Sequence, residues 1–278
     1  MKKNKLILNR RNFIKSSAAC GCLFSLPGCS TVPVTGRKQL NWVPDRMIKY
    51  ISDTYYYGFL DDNYMRIEKD EKYMNRIQDI AYNIEKGIQR YFEIENKDFS
   101  KYKFDYEINV IRDRRTLNAF AMANAKIVLY SRIIDFAEDD DGVAVIMGHE
   151  MGHVVAKHIH ERISQRITWD VLTLGVAELV AELGFFLPWS RKQESEADYL
   201  GINFMYLAGY DPNAASKFWK KLDDYVKDVK KYKQKSDVLT EIKRNLPQWT
   251  KTHPSSEDRY ENLKKWSVDV KQKYRGVI

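Results

Sequence analysis

Residues 143–155 read Val143-Ala144-Val145-Ile146-Met147-Gly148-His149-Glu150-Met151-Gly152-His153-Val154-Val155, and they decide how the rest of the chain is understood. Apolar residues crowd the run on every side, so it predicts a largely buried helix. On a helix His153 lies about 40° around from His149 and one turn along. Two imidazoles can then converge on one ion at the roughly 2.0–2.1 Å typical of zinc–nitrogen bonds. Glu150 falls between them, placed to reach a metal-bound water and not the metal. This is the H-E-x-x-H pattern of metal-assisted amide hydrolysis. In that chemistry the metal acidifies a water and polarises a carbonyl while a carboxylate moves the proton. The plainer alternative is a helix that carries surface His and Glu by accident. It sits badly with the apolar flanks, because buried imidazoles and a buried carboxylate need partners.

The third ligand has to come from elsewhere in the chain. All three cysteines, Cys20, Cys22 and Cys29, fall near the N-terminus, so His or carboxylate must supply it. Glu194 and Asp198 are four apart on a predicted helix over residues 190–208 and share a face. Glu194 would complete a two-His, one-carboxylate site with an open position for water. Asp198 could accept a hydrogen bond from the free ring nitrogen of a ligand histidine. Spacing alone leaves Glu161, Glu178, Glu182 and Glu196 as rival carboxylates; Glu196 lies about 200° round from Glu194 and looks away. His158 is half a turn out of phase with His149, and His160 is roughly 16 Å along a straight helix. Both read as surface or packing histidines.

The formal charge of +8 is unevenly placed. Residues 1–28 hold Lys2, Lys3, Lys5, Arg10, Arg11 and Lys15 with no acidic residue, so the remainder carries only +2. A nearly neutral body gives no electrostatic case for nucleic-acid binding. The basic start, the short apolar run over 16–26 and Gly28-Cys29 predict a secretory signal over residues 1–28. Asn9-Arg10-Arg11-Asn12-Phe13-Ile14-Lys15 is similar to the twin-arginine export signal, with general secretion as the alternative. Leu26-Pro27-Gly28-Cys29 resembles a lipobox, although Pro27 departs from the small residue usual there. Cys29 would be the lipidated first residue, tying the chain to a membrane, with residues 29–43 as a tether.

Downstream, apolar residues at Tyr73, Ile77, Ile80, Ile84, Ile88 and Tyr91 predict a helix with one buried stripe. Phe104, Tyr106, Ile108 and Val110 alternate as in a half-buried strand. Residues 117–122 and 127–130 predict two more strands joined by a short turn. Beyond residue 132 the chain reads as helical, with one helix over 142–161, an amphipathic or buried one within 163–189, and another over 212–230. The lysine-rich stretch 227–235 reads as a solvated face. The class is α+β, mostly helical, in one unit over residues 44–278.

Five motifs occur in a fixed order: Asn118-Ala119-Phe120-Ala121-Met122, then His149-Glu150-Met151-Gly152-His153, then Ser190-Arg191 through Glu194-Ser195-Glu196-Ala197-Asp198, then Ala208-Gly209-Tyr210-Asp211-Pro212, then His253-Pro254 through Arg259. Together they resemble the HtpX and CAAX-prenyl-protease family of gluzincin metallopeptidases, in its soluble bacterial branch of periplasmic lipoprotein and quality-control proteases. The resemblance implies a zincin-like domain with a small antiparallel sheet and one zinc ion per chain on His149, His153 and Glu194. It implies Glu150 as general base, and Asn118, Ala119 and Phe120 as a cleft-edge strand that binds polypeptide substrates. Relatives carry Pro-Gly-Gly after that strand, where this chain has Met122-Ala123-Asn124-Ala125. His253 would approach the metal, either stabilising an oxyanion or capping the open position, and Arg259 would orient that loop. On the bare sequence His253 merely precedes a helix starting at Pro254, with Ser255 and Asp258 as a capping box. The substrates implied are unfolded or misassembled cell-envelope proteins, met at the periplasmic face of the outer membrane. A zinc-stabilised scaffold protein and a protease held latent by His253 are the competing readings.

Overall fold

The structure, a computed structural model, describes residues 29–32, 35–102, 106–173, 189–235, 247–253 and 257–277. The predicted signal over 1–28 and the capping residues Pro254 and Ser255 lie outside these. The segment expected as a tether is folded: β1 (Cys29–Thr31) and β2 (Lys38–Leu40) form an antiparallel hairpin. Helix α1 (Asp45–Asp62) follows, then α2 (Glu71–Ile94). Asp70 caps α2 by accepting from the Tyr73 amide at 2.7 Å. The predicted stripe Ile77, Ile80, Ile84, Ile88 and Tyr91 is buried along it. Covering such side chains contributes about 1.5–3 kcal/mol each.

Strands β3 (Glu107–Ile111), β4 (Ala119–Ala121) and β5 (Lys126–Tyr130) form a sheet in the order β3-β5-β4. The expected antiparallel pairing is present in β4–β5 and in the N-terminal hairpin. A parallel β3–β5 pair makes the three-stranded sheet mixed and leaves β4 at an edge.

After α3 (Ser131–Ala137) comes the central helix α4 (Asp140–Val155). Asp139 caps it through the Gly142 amide at 2.8 Å, and Asp140 and Asp141 sit in its positive first turn. Every residue from Gly142 to Val155 is buried. One long helix over 142–161 is not what forms. The chain breaks at Ala156 and Lys157, with Lys157 at φ 55°, and restarts as α5 (His158–Thr173). No glycine marks the spot, so the break is silent in the sequence. Residues 174–188 lie outside the described part; among the described residues no helix is long and apolar enough to cross a membrane.

Helix α6 (Arg191–Leu207) starts with a complete capping box of Ser190 and Gln193. It is followed by α7 (Asn213–Lys235), the short α8 (Gln248–Thr252) and α9 (Glu257–Lys273). The lysine-rich stretch belongs to α7, where Lys227 and Lys231 are exposed. Helices α4 and α6 pack backbone to backbone. A Cβ added at Gly152 would lie 2.5 Å from the Ala197 carbonyl oxygen, and one at Gly148 would lie 2.9 Å from that of Gly201. This approach sets the span across which the metal donors face each other.

Candidate metal centre and active site

Helix α4 presents His149 and His153 one turn apart, as their spacing predicts, and the close approach of α6 puts Glu194 opposite them. The Nε2 atoms of the two histidines are 3.1 Å apart. Glu194 Oε1 is 3.2 Å from His153 Nε2, and Glu194 Oε2 is 3.7 Å from His149 Nε2. Each of these three residues is at most 3% exposed. Donors at 2.0–2.1 Å from a tetrahedral zinc are separated by roughly 3.3 Å along each edge. The observed spacings bracket that value.

Proton positions sharpen the fit. His149 Nδ1 lies 2.8 Å from Asp198 Oδ1, so it carries the hydrogen and its Nε2 lone pair faces the centre. His153 Nδ1 meets His158 Nδ1 at 2.8 Å, and His158 Nε2 meets Glu196 Oε2 at 2.9 Å. A carboxylate accepts only, so His158 donates from Nε2 and accepts at Nδ1. His153 must then donate from Nδ1, which turns its Nε2 lone pair inward as well. Two imidazole lone pairs and a carboxylate converge, and neither histidine directs a hydrogen between them, the donor chemistry of a bound cation. The site residues thus fit zinc.

His158 is therefore neither at the surface nor a passive packing residue. The helix break at Lys157 brings it back to brace a ligand histidine, whereas a continuous helix would have held it half a turn away. Burial lowers the pKa of both His153 and His158, keeping the imidazoles neutral. Glu196 looks away from the centre as predicted, yet it is buried and bonded by His158, Thr35 and Arg37. Burial opposes its charge, but those bonds pull its carboxyl down to about 2. His160 stands apart, bonding the Val43 carbonyl at 2.8 Å.

Arg259 on α9 reaches the ligand cluster itself. Its Nε and Nη2 grip both oxygens of Asp198 at 2.5 and 2.8 Å, and its Nη1 ion-pairs Glu194 Oε2 at 2.6 Å. It also stacks over Trp219, with the guanidinium carbon 3.2 Å from the ring centroid. Burial alone would raise the Glu194 carboxyl; the surrounding His253, Arg259 and His149 hold it well below the usual range.

His253 follows α8 and reaches the centre. Its Nδ1 is 3.1 Å from His149 Nε2 and 2.9 Å from Glu194 Oε1. His149, His153, Glu194 and His253 form a buried group able to hold one ion. The Nε2 of His253 lies 3.5 Å from Glu150 Oε1. Glu150 itself is fixed from two sides: Trp249 Nε1 donates to Oε1 at 3.0 Å, and the Ala121 amide donates to Oε2 at 3.1 Å. Trp249 escaped the sequence reading; its one signal is its place a helical turn before His253. A cleft beside Glu150 is lined by Asn118, Ala119, Phe120, Tyr55, Trp189 and Thr252. The strand residues singled out from sequence do border the base.

The sequence pattern of Peptidase family M48 matches residues 81–267, which span the sheet, both ligand helices, His253 and Arg259. The chain belongs to peptidase family M48. That membership makes it a zinc metallopeptidase by class and agrees with the donor set. It is similar to the mitochondrial metalloendopeptidase OMA1 of Schizosaccharomyces pombe, 32% identical over 60% of this chain and 48% of that protein. The OMA1 of Saccharomyces cerevisiae is 26% identical over 91% of this chain and 74% of its own length. The beta-barrel assembly-enhancing protease of Yersinia pestis is 27% identical over 41% of this chain and 28% of its own length. The chain thus spans about half of the fission-yeast relative. The HtpX-like resemblance holds at the level of the M48 group, while its narrowing to a bacterial branch has the shorter match.

Proposed function

We propose that this M48 peptidase is a zinc-dependent endopeptidase that cleaves unfolded or misassembled proteins of the cell envelope, held at a membrane by a lipid on Cys29. The observation that carries the catalytic part is the pairing of a donor cluster, in which two histidines turn their lone pairs toward Glu194, with a separately held carboxylate. A binding or scaffold protein would need the ligands and have no use for Glu150, which lies in the cleft beside them, locked by Trp249 and Ala121.

His149, His153 and Glu194 would hold the zinc, which when bound supplies Lewis acidity and a water of lowered pKa. Glu150 takes the proton of the attacking water and delivers it to the departing amine. Its two N–H donors leave a lone pair on each oxygen for that purpose. Asp198 and Arg259 keep His149 in the ligating tautomer and Glu194 in place. Strand β4 receives the substrate. The Asn118 carbonyl and the Met122 amide bond toward β5, so by the alternation of an antiparallel ladder Ala119 and Ala121 turn their amides to the outer edge. Ala121 holds the base, and Ala119 is left to pair with an extended peptide. Such backbone pairing demands an unfolded segment and tolerates many side chains. The envelope setting is supported by the Arg10-Arg11 signal pattern, the lipobox-like Leu26 to Cys29 and the resemblance to an assembly-enhancing protease.

Cleavage of casein by the purified chain tests the catalytic reading. Wild type should cut, while Glu150→Gln and chelator-treated protein should not; cutting that survives Glu150→Gln rules out the assigned base. Cys29→Ala should release the protein from membranes. A second reading rests on His253 Nδ1, which stands at a fourth corner beside His149 and Glu194. There it closes the position that water needs, and the protease is latent until substrate displaces it. His253→Ala then raises casein cleavage, whereas an oxyanion-stabilising role makes the same change lower it.

A further inference from the structure

The N-terminal hairpin is wired into the metal centre. Arg37, immediately before β2, has a side chain only 11% exposed. It forks onto Glu161 with Nη1 and Nη2, both at 2.8 Å, and sends Nε to Glu196 Oε2 at 2.8 Å. Thr35 bonds the other oxygen of the same carboxylate. Gln193, in the first turn of the helix that carries Glu194, donates to Glu161 Oε2 at 3.0 Å. Glu196 Oε2 in turn accepts from His158, and His158 accepts from His153. A continuous path of charge-assisted and imidazole hydrogen bonds therefore runs from the hairpin to a metal donor.

We infer that Arg37 is a positioning residue for the zinc site, fixing the Glu196 carboxylate so that His158 holds His153 with its Nε2 lone pair turned to the metal. The inference rests on the metal site described above. Its physical basis is that neither nitrogen of an isolated histidine is committed to carry the proton. A ligand histidine needs an acceptor at its other nitrogen, and that acceptor needs to stay still. Here the acceptor is itself an imidazole, which has its own choice of tautomer. Only a carboxylate held on its far side removes that choice. A planar guanidinium suits the task, because it grips two carboxylates at once along fixed directions, as an ammonium cannot. Without Arg37, Glu196 loses the grip that fixes its direction, His158 is no longer biased toward donating from Nε2, and His153 spends part of its time with a hydrogen where the metal should bind.

The test uses the full chain and reads zinc affinity by competition with a fluorescent chelator, alongside the visible spectrum of the cobalt-loaded protein. Loss of a supporting hydrogen bond of this kind commonly costs 10- to 100-fold in metal affinity. Arg37→Gln is expected to weaken zinc binding by about tenfold and to alter the cobalt bands. Arg37→Lys, which keeps the charge and loses the fork, should fall between, and it provides the reading if Arg37→Gln fails to fold. The decisive arm is His158→Gln: with the path already cut, adding Arg37→Lys or Arg37→Gln should change affinity no further. Independent, multiplying losses in the double variant would overturn the inference, as would wild-type affinity and cobalt bands in a folded Arg37 variant. A wild-type chain that binds no zinc would sink the metal site and this inference together, whereas tight wild-type binding with indifferent Arg37 variants sinks the inference alone.

Discussion

Replacing Gly152 with Ala isolates the contact that spaces the metal donors. The added Cβ would stand 2.5 Å from the Ala197 carbonyl oxygen, with Ala197 Cα at 2.9 Å. Ordinary contact begins near 3.4 Å, and the neighbour is backbone in a buried helix, so α4 and α6 must part by roughly half an ångström or more. Overpacking of this kind costs about 1–3 kcal/mol, partly offset by the better helix propensity of alanine. For a chain of this size each kcal/mol moves Tm by about 2–4 °C, so a drop of roughly 2–10 °C is expected. Zinc affinity should suffer as well. Gly152 precedes the ligand His153 and faces the helix that bears Glu194, and sites tolerate misplacement of only about 0.5 Å. A loss of at least about tenfold is expected. Calorimetry on metal-free and zinc-loaded protein, with chelator competition for affinity, reads both effects. Gly58→Ala in α1 is the control: nothing lies within 4 Å of its Cβ, and it should gain up to about 1 kcal/mol with zinc binding unchanged. Wild-type affinity and Tm in Gly152→Ala would refute the idea that this backbone contact sets the donor span.

Three further outcomes follow from the geometry. Trp249→Phe removes one of the two N–H groups that lock Glu150; a bond to a charged group is worth about 1.5–3 kcal/mol, so kcat should fall about tenfold or more while zinc content and KM hold, as steady-state kinetics with metal analysis would show. Burial opposes the charge of Asp113, but the Arg115 amide, the Thr116 hydroxyl and Arg66 override it and depress its pKa when folded. Its contribution is therefore complete above the ordinary carboxylate range and is lost as pH falls through the depressed value, so Asp113→Asn should flatten the acid limb of a Tm-versus-pH curve and leave the neutral limb merely lower. Stripping the metal with a chelator should lower Tm yet leave the far-ultraviolet circular dichroism unchanged, with full recovery on adding zinc, since the fold that places the donors is made of helix packing and not of ligand bonds.

What the sequence discloses about this site follows the reach of local geometry. His149, Glu150 and His153 are legible because a single helical turn fixes their relation, and Asp198 is legible relative to Glu194 for the same reason. Choosing Glu194 over Glu161 or Glu196 took the family motif, because no spacing rule spans the forty residues between two helices. The buried stripe of α2 and the β4–β5 pair were readable from periodicity, whereas the parallel β3–β5 pairing was not, since alternation says nothing of direction. Arg37 was hidden in a segment without any period, and its burial depends on two carboxylates more than a hundred residues away. An unbroken helix over 142–161 would put His158 on the wrong face. Lys157 adopts a left-handed conformation without the glycine that usually announces one, so the helical phase carried past it was false.

That turn at Lys157 has a consequence for how compactly such a centre can be encoded. By turning the chain shortly after the second imidazole, it lets six consecutive positions, His153 to His158, supply both a donor for the ion and the group that orients the donor. Inserting or deleting even one residue between His153 and His158 would leave the recognition motif intact to any reader of the sequence. It would nonetheless strip that imidazole of its brace, leaving a chain that looks like a peptidase on paper and holds its metal loosely.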